Sequence, residues 1–132
     1  MLLFKKTRRA GIAVLVGLLL GLLCGNLAIK NLVARERPCA IGTAPELLIP
    51  YPSEYSFPSG HTLSSFIAAT CIFLRNKKWG ISAYVFASGI AFSRIYLYVH
   101  FPTDILGGII LGIALAHLAT WISKKPKWKV LE

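Results

Sequence analysis

From Ala10 to about Ile29 the chain carries no charged side chain. No other feature constrains its fold as much. About 20 apolar residues are what a helix needs to cross the hydrocarbon of a bilayer, where no water is present to satisfy a bare peptide group. Lys5, Lys6, Arg8 and Arg9 precede the run. A basic start followed by an apolar core also fits a cleaved leader, so two readings compete. The run is long for a leader core, and Leu23 stands before Cys24 where a lipoprotein cleavage site wants a small residue. Gly17, Gly21 and Gly25 recur every fourth residue, a smooth stripe on which a second helix packs closely. A retained helix in a bundle is the expectation.

Three further helices follow from the same pattern. Pro38, Pro45, Pro50, Pro52 and Pro58 interrupt the segment between Lys30 and His61, which excludes a long regular helix there. Tyr51, Tyr55 and Phe57 suit a loop at headgroup level. The apolar run Thr62 to Leu74 is too short to span alone, so its helix should begin a turn earlier, near Ser59. Arg75, Lys77 and Lys78 are expected to close it, and Trp79 to open a third run. That run reaches about Phe92 and can continue as helix to Tyr98. Pro102 suits a first helical turn and opens a fourth run, Ile105 to Ile122, with Gly108 and Gly112 as a close-packing face. The prediction is one all-α membrane domain over residues 1–132. It is a polytopic bundle of four transmembrane helices at about 10–29, 59–75, 79–98 and 103–122, with loops at 30–61 and 94–104.

Composition agrees with that class. Hydrophobic residues make up 55% of the 132 and mean hydropathy is +0.62, values unsuited to a soluble domain. The net charge of +10 raises nucleic acid as a partner, but the cations cluster at the ends of apolar runs instead of spreading over an aromatic-studded surface. Cys24, Cys39 and Cys71 form no paired motif and no Cys/His cluster, and imply neither a metal nor a disulfide framework. Four helices put the N-terminus, the 75–78 turn and the C-terminal tail (Lys124, Lys125, Lys127, Lys129) on one side. Eleven of the fifteen Lys and Arg residues lie there. The positive-inside rule makes that side cytoplasmic, in a cell membrane, and both long loops extracytoplasmic. Oligomeric state is not legible.

Lys30, Arg35, Arg37 and Arg94 escape the rule. With them lie Pro58-Ser59-Gly60-His61 and the stretch Ser93 to Asp104, which holds Arg94, His100 and Asp104. Ionisable groups near hydrocarbon are costly and mark functional sites. His100 and Asp104, four apart, can meet across one turn, and a carboxylate orients an imidazole in this way. The plainer reading, interfacial anchors and a polar loop histidine, stays open for that stretch alone. Together the groups suit a phosphate ester. Arg37 and Arg94 offer planar forks and Lys30 a point charge. Ser59-Gly60-His61 opens a helix whose free N–H groups favour an anion, and two histidines can divide nucleophile and proton donor. No metal or other cofactor is required.

The series Lys30-x6-Arg37-Pro38, Pro58-Ser59-Gly60-His61 and Ser93-Arg94-x5-His100-x3-Asp104 resembles the three-part signature of the type 2 phosphatidic acid phosphatase family, whose wider superfamily includes vanadium haloperoxidases. The resemblance implies a metal-independent phosphatase of lipid phosphates or diphosphates. His100 would be the nucleophile that becomes phosphohistidine, Asp104 its orienting partner and His61 the general acid. Lys30, Arg37 and Arg94 would bind phosphoryl oxygens, aided by Ser59 and the Gly60 and His61 amides. Family members in membranes generally have six helices, with the first motif after the third. Here that motif follows the first, as if an N-terminal pair were missing.

Among substrates, the outward site and small size favour undecaprenyl diphosphate, with phosphatidic acid and phosphatidylglycerol phosphate open, because the motifs read the phosphoryl group and not the tail. A non-enzymatic module binding lipid phosphate is the alternative of another class. It needs the arginines but not the nucleophile. His117, inside the fourth run, matches no motif and reads as structural. Arg35 and Glu36 read as pairing with each other or with headgroups. Tyr96, Tyr98 and Trp128 read as interfacial aromatics, and the basic tail as a contact with anionic lipid.

Overall fold

The computed structural model describes residues 5–41 and 46–124; Pro45, the tail lysines Lys125, Lys127 and Lys129, and Trp128 lie outside them. No strand occurs among the described residues. Helix α1 (Lys5–Leu20) continues through a π-helical stretch, Gly21–Ile29, into α2 (Lys30–Val33). Leu20 and Ile29 keep right-handed helical backbone at the two joints, so the three segments form one rod. The rod ends at Ala34, in the left-handed region at φ 46°, ψ 39°, with its N–H on Lys30 O. Lys30 therefore sits in the last helical turn, where the sequence reading placed it just past the helix.

A short 3₁₀ turn, Pro38–Ala40, precedes a stretch whose described residues, 46–59, are irregular. Helix α3 (Gly60–Arg75) then starts with Ser59 as its N-cap, the hydroxyl accepting from Thr62 N. This is the earlier start expected from the shortness of the run. Only Asn76 separates α3 from α4 (Lys77–Tyr96), and its side chain caps α4 by accepting from Trp79 N at 3.2 Å. Lys77 and Lys78 thus begin α4 instead of closing α3. Gly80 permits the tight hairpin, because a Cβ there would overlap the Phe73 backbone. Helix α5 (Pro102–Ser123) has Pro102 in its first turn, where a missing N–H costs nothing.

α3 is the central helix, packed against α4, α5 and the first rod. One face joins Leu63, Ile67 and Cys71 to Ala13, Leu115 and Ala116. The other joins Phe66 and Ala69 to Ala87, Ala91 and Ile105. The glycine stripe is the rod's contact with α3. A Cβ on Gly17 would stand 2.6 Å from Ile67 Cγ2 and one on Gly21 2.7 Å from Ile67 Cδ1, while on Gly25 it would overlap Leu63. On α5, a Cβ at Gly108 would lie 3.0 Å from Ser59 O and at Gly112 2.9 Å from Leu63 O. Two glycines therefore bring α5 against the backbone of the first turns of α3.

Leu15, Leu19, Leu27, Val85, Phe86, Phe92, Leu106 and Ile110 face outward. That surface suits lipid and not water. By length and composition two helical stretches can cross a membrane, one within Thr7–Ala40 and the other Pro102–Ser123. α3 and α4 do not meet that measure, so two of the four expected spans pass it. At the end of the bundle where α3 and α5 finish, Arg9, Arg75 and Lys124 line one cavity of about 210 Å³. His117 lies on the exposed face of α5.

Candidate active site

At the opposite end, the last turn of the first rod and the first turns of α3 and α5 converge. Between them lies a cavity of about 420 Å³, lined by Asn26, Lys30, Arg37, Glu54, Gly60, His61, Ser64 and His100 among others. Five of the residues singled out from sequence, Lys30, Arg37, Gly60, His61 and His100, thus share one wall. Three do not. Asp104 lies behind His100, fully buried. The Ser59 hydroxyl is buried beneath the start of α3 and accepts from Thr62 N and Thr62 Oγ1. Arg94 belongs to the last turn of α4, not to a loop. Its Nε meets Ser93 Oγ at 3.3 Å, and its charge is felt at His61.

His100 is buried in the short connection between α4 and α5. Its Nε2 stands 3.1 Å from Arg37 Nη1. A guanidinium has only donors, so Nε2 carries the lone pair and the proton of the neutral ring sits on Nδ1. Nδ1 faces Asp104 Oδ2 at 3.5 Å and has no hydrogen-bond partner among the described residues. Catalytic hydrogen bonds are often long in an empty site and tighten with substrate. Burial pushes the His100 pKa down to about 4; Arg37 and Lys30 act in the same direction and Asp104 opposes them. The ring is therefore neutral at physiological pH.

Arg37 is itself anchored. Its Nε donates to Glu54 O at 2.7 Å, Nη1 to Val99 O at 2.9 Å and Nη2 to Tyr55 O at 3.3 Å. Burial draws its pKa down, and Cys39, Glu54 and Asp104 hold it up. Lys30 Nζ meets Glu54 Oε2 at 2.7 Å. The hydrogen bond and charge of Lys30 hold the Glu54 carboxyl below its ordinary pKa. At the start of α3, the Gly60 and His61 N–H groups occupy helical positions that have no intrahelical acceptor. The close approach at Gly60 is real, because a Cβ there would stand 3.0 Å from Asn26 Oδ1.

The Asp104 carboxylate is held from several sides. Oδ1 accepts from Arg35 Nη1 at 2.9 Å. Oδ2 accepts from the Ser56 hydroxyl and from Phe101 N at 2.8 Å, the second being a reach back from the first turn to the residue before the helix. Arg35 thus pairs with Asp104, where the sequence suggested Glu36 or a headgroup, and its guanidinium stacks over the Phe101 ring at 4.0 Å. Asn26, Arg35, Glu54 and Ser56 are among the members of this end of the bundle that sequence reasoning did not select for the site. A signal existed for two of them: Asn26 is an amide inside the apolar run, and Glu54 is one of only five acidic residues.

A family model described as the PAP2 superfamily matches residues 10–128. The chain is 32% identical to an undecaprenyl-diphosphatase of Sulfolobus acidocaldarius, over 100% of this chain and 64% of that protein. It is also 32% identical to the undecaprenyl-diphosphatase BcrC of Bacillus subtilis, over 86% of this chain and 56% of the relative. The chain thus spans roughly three fifths of the length of these curated relatives. Among solved structures, it superposes on a transmembrane PAP2-type phosphatidylglycerolphosphate phosphatase of Bacillus subtilis with a TM-score of 0.68 and 30% identity, covering 95% of this chain and 64% of the other. On the model match and these likenesses together, the chain belongs to the PAP2 superfamily.

Proposed function

We propose that this chain is a membrane lipid phosphate phosphatase that works through a phosphohistidine at His100. One observation carries the reading: a buried, neutral imidazole presents an unprotonated Nε2 to a cavity that also holds Lys30 and Arg37. A phosphoryl group entering the cavity takes Arg37 Nη1 and Lys30 Nζ as oxygen ligands, the latter in exchange with the Glu54 carboxylate. The Gly60 and His61 amides add the positive end of α3. Nε2 then attacks phosphorus in line with the leaving oxygen. The P–O bond to the leaving group breaks, and His61 supplies its proton. Asp104 stabilises the charge that develops on the His100 ring through Nδ1–H. Water, deprotonated by His61, attacks phosphorus in the second step and cleaves the P–N bond, which releases phosphate and restores both histidines. Arg94, in the last turn of α4, offsets charge on the phosphoryl oxygens.

The substrate assigned is undecaprenyl diphosphate, with undecaprenyl phosphate as the leaving group. Two relatives carry the name undecaprenyl-diphosphatase, and nothing in the cavity's polar wall reads more than the terminal phosphoryl group. All four long helical segments cross the membrane within a single domain. Arg9, Arg75 and Lys124, gathered at the end away from His100, lie on the cytoplasmic side with both termini. The cavity opens extracytoplasmically. A phosphate-release panel on purified protein over undecaprenyl diphosphate, phosphatidic acid and phosphatidylglycerol phosphate tests the reading. Undecaprenyl diphosphate should be turned over fastest, and activity on none of the three would favour a binding module.

A further inference from the structure

Arg35 falls in the unspecified x6 span of the first motif, yet among the described residues it alone donates to Asp104 Oδ1. The other carboxylate oxygen, Oδ2, accepts from Ser56 and Phe101 N and faces His100 Nδ1. Rotation of the carboxylate is therefore fixed from the Oδ1 side by one guanidinium. That guanidinium is itself located by Thr103 Oγ1 at 2.6 Å and by the Phe101 ring beneath it. We propose that Arg35 is a positioning residue of the reaction: by clamping the Asp104 carboxylate and sharing its charge, it keeps the ring proton of His100 at Nδ1 and Nε2 free to attack phosphorus. The inference rests on the reading of His100 as nucleophile.

Two physical effects follow from the clamp. The first is geometric. Asp104 is 0% exposed, so without Arg35 its Oδ1 is a buried acceptor that lacks its donor, and the carboxylate turns toward whatever donors remain. The second is electrostatic. The charged groups that face His100 are Arg37 at Nε2, Lys30 across the cavity and Asp104 at Nδ1. An Asp104 carboxylate already paired with a guanidinium attracts a second proton to the ring less strongly than a bare one. A paired carboxylate thus orients the imidazole without making it imidazolium, which could not attack. Arg35 is also one of the four cations that the charge distribution leaves on this side of the bundle, and the contact with Asp104 accounts for its presence there. A topological anchor would have its head in the headgroup layer, whereas Arg35 Nη1, on a half-exposed side chain, is turned toward the buried Asp104 carboxylate.

Arg35→Gln and Arg35→Lys, made in the full chain and compared with the parent over pH 4–9 on undecaprenyl diphosphate, test the proposal. In Arg35→Gln, kcat falls about tenfold or more while KM stays within about twofold. The acid limb of the kcat/KM profile moves up by about one pH unit, because the bare Asp104 charge raises the proton affinity of His100. Arg35→Lys returns the limb to the parent position and recovers most of kcat. The ¹⁵N resonances of His100 report the same change without turnover, as a titration shifted upward in Arg35→Gln. A parent-like kcat, profile and His100 titration in Arg35→Gln, or a change confined to KM, would overturn the proposal while His100→Ala remains inactive. Turnover by His100→Ala would instead remove the reading on which it rests.

Discussion

Ser59 donates its backbone N–H to the Asp104 carbonyl at 3.1 Å. The residue that caps the helix carrying His61 is thereby tied to the residue whose carboxylate stands behind His100. The two histidines sit on separate elements, but their supports are one hydrogen-bonded unit, held together by the approach of α5 to α3 at Gly108 and Gly112.

Gly112→Ala tests that approach. Its Cβ would stand 2.9 Å from the Leu63 carbonyl and 3.1 Å from Phe66 Cβ, so backbone must move. Overpacking of this kind costs about 1–3 kcal/mol. Thermal unfolding in detergent should show the loss of stability, and phosphatase activity should fall with it although no residue of the cavity has changed.

Arg37→Lys should lower kcat/KM by about a hundredfold or more. A lysine cannot reproduce the planar fork that meets Glu54 O, Val99 O, Tyr55 O and His100 Nε2 at once. The carbonyls left without a donor cost about 1 kcal/mol or more of stability. Equal kcat/KM in the variant would show that the charge alone suffices.

The pH dependence of the parent has a definite sign. His100 must be neutral to attack, and its pKa lies near 4 in the folded protein. The acid limb that His100 sets should therefore lie near pH 4, with activity lost as the pH drops through it. An acid limb centred on the ordinary imidazole value of about 6.5 would mean that the ring is neither as buried nor as near Arg37 as found.

His61→Ala should lower turnover of a lipid phosphate by about 10²–10⁴-fold, the usual worth of a general acid. The loss should be much smaller for an aryl phosphate whose leaving group departs without a proton. Rate measurements on both substrates check this, and an equal loss on the two would point to binding instead of proton transfer.

Much of the fold was legible because each apolar run had caps and glycines of its own. Gly17, Gly21 and Gly25 predicted a close-packing face on the rod, and Gly108 and Gly112 one on α5, but not that α3 is the helix that fills both. The boundary between α3 and α4 was misplaced because Lys77 and Lys78 read as a closing charge cluster, whereas one extended residue, Asn76, suffices to turn the chain. Lys30, Arg37, His61 and His100 could be grouped from motif spacing alone. Arg35 could not, because its neighbour Glu36 offered a nearer partner in sequence and only the turn at Ala34 carries it to Asp104. Ser56 and Glu54 lie in the proline-rich loop, whose path no periodicity describes. Asn26 went unread because an amide leaves a run's hydropathy nearly unchanged, although its Oδ1 is buried without a partner among the described residues.

The covalent step can be observed directly. Purified protein is mixed with a lipid diphosphate labelled in its terminal phosphorus, quenched within the first turnover, and digested for peptide mapping. A label that is stable to alkali, labile to acid and carried on the peptide containing His100 is expected, and it should be absent from His100→Ala, which should release no phosphate. Labelled phosphate released with no protein-bound intermediate, together with turnover by His100→Ala, would contradict the assignment of His100 as nucleophile.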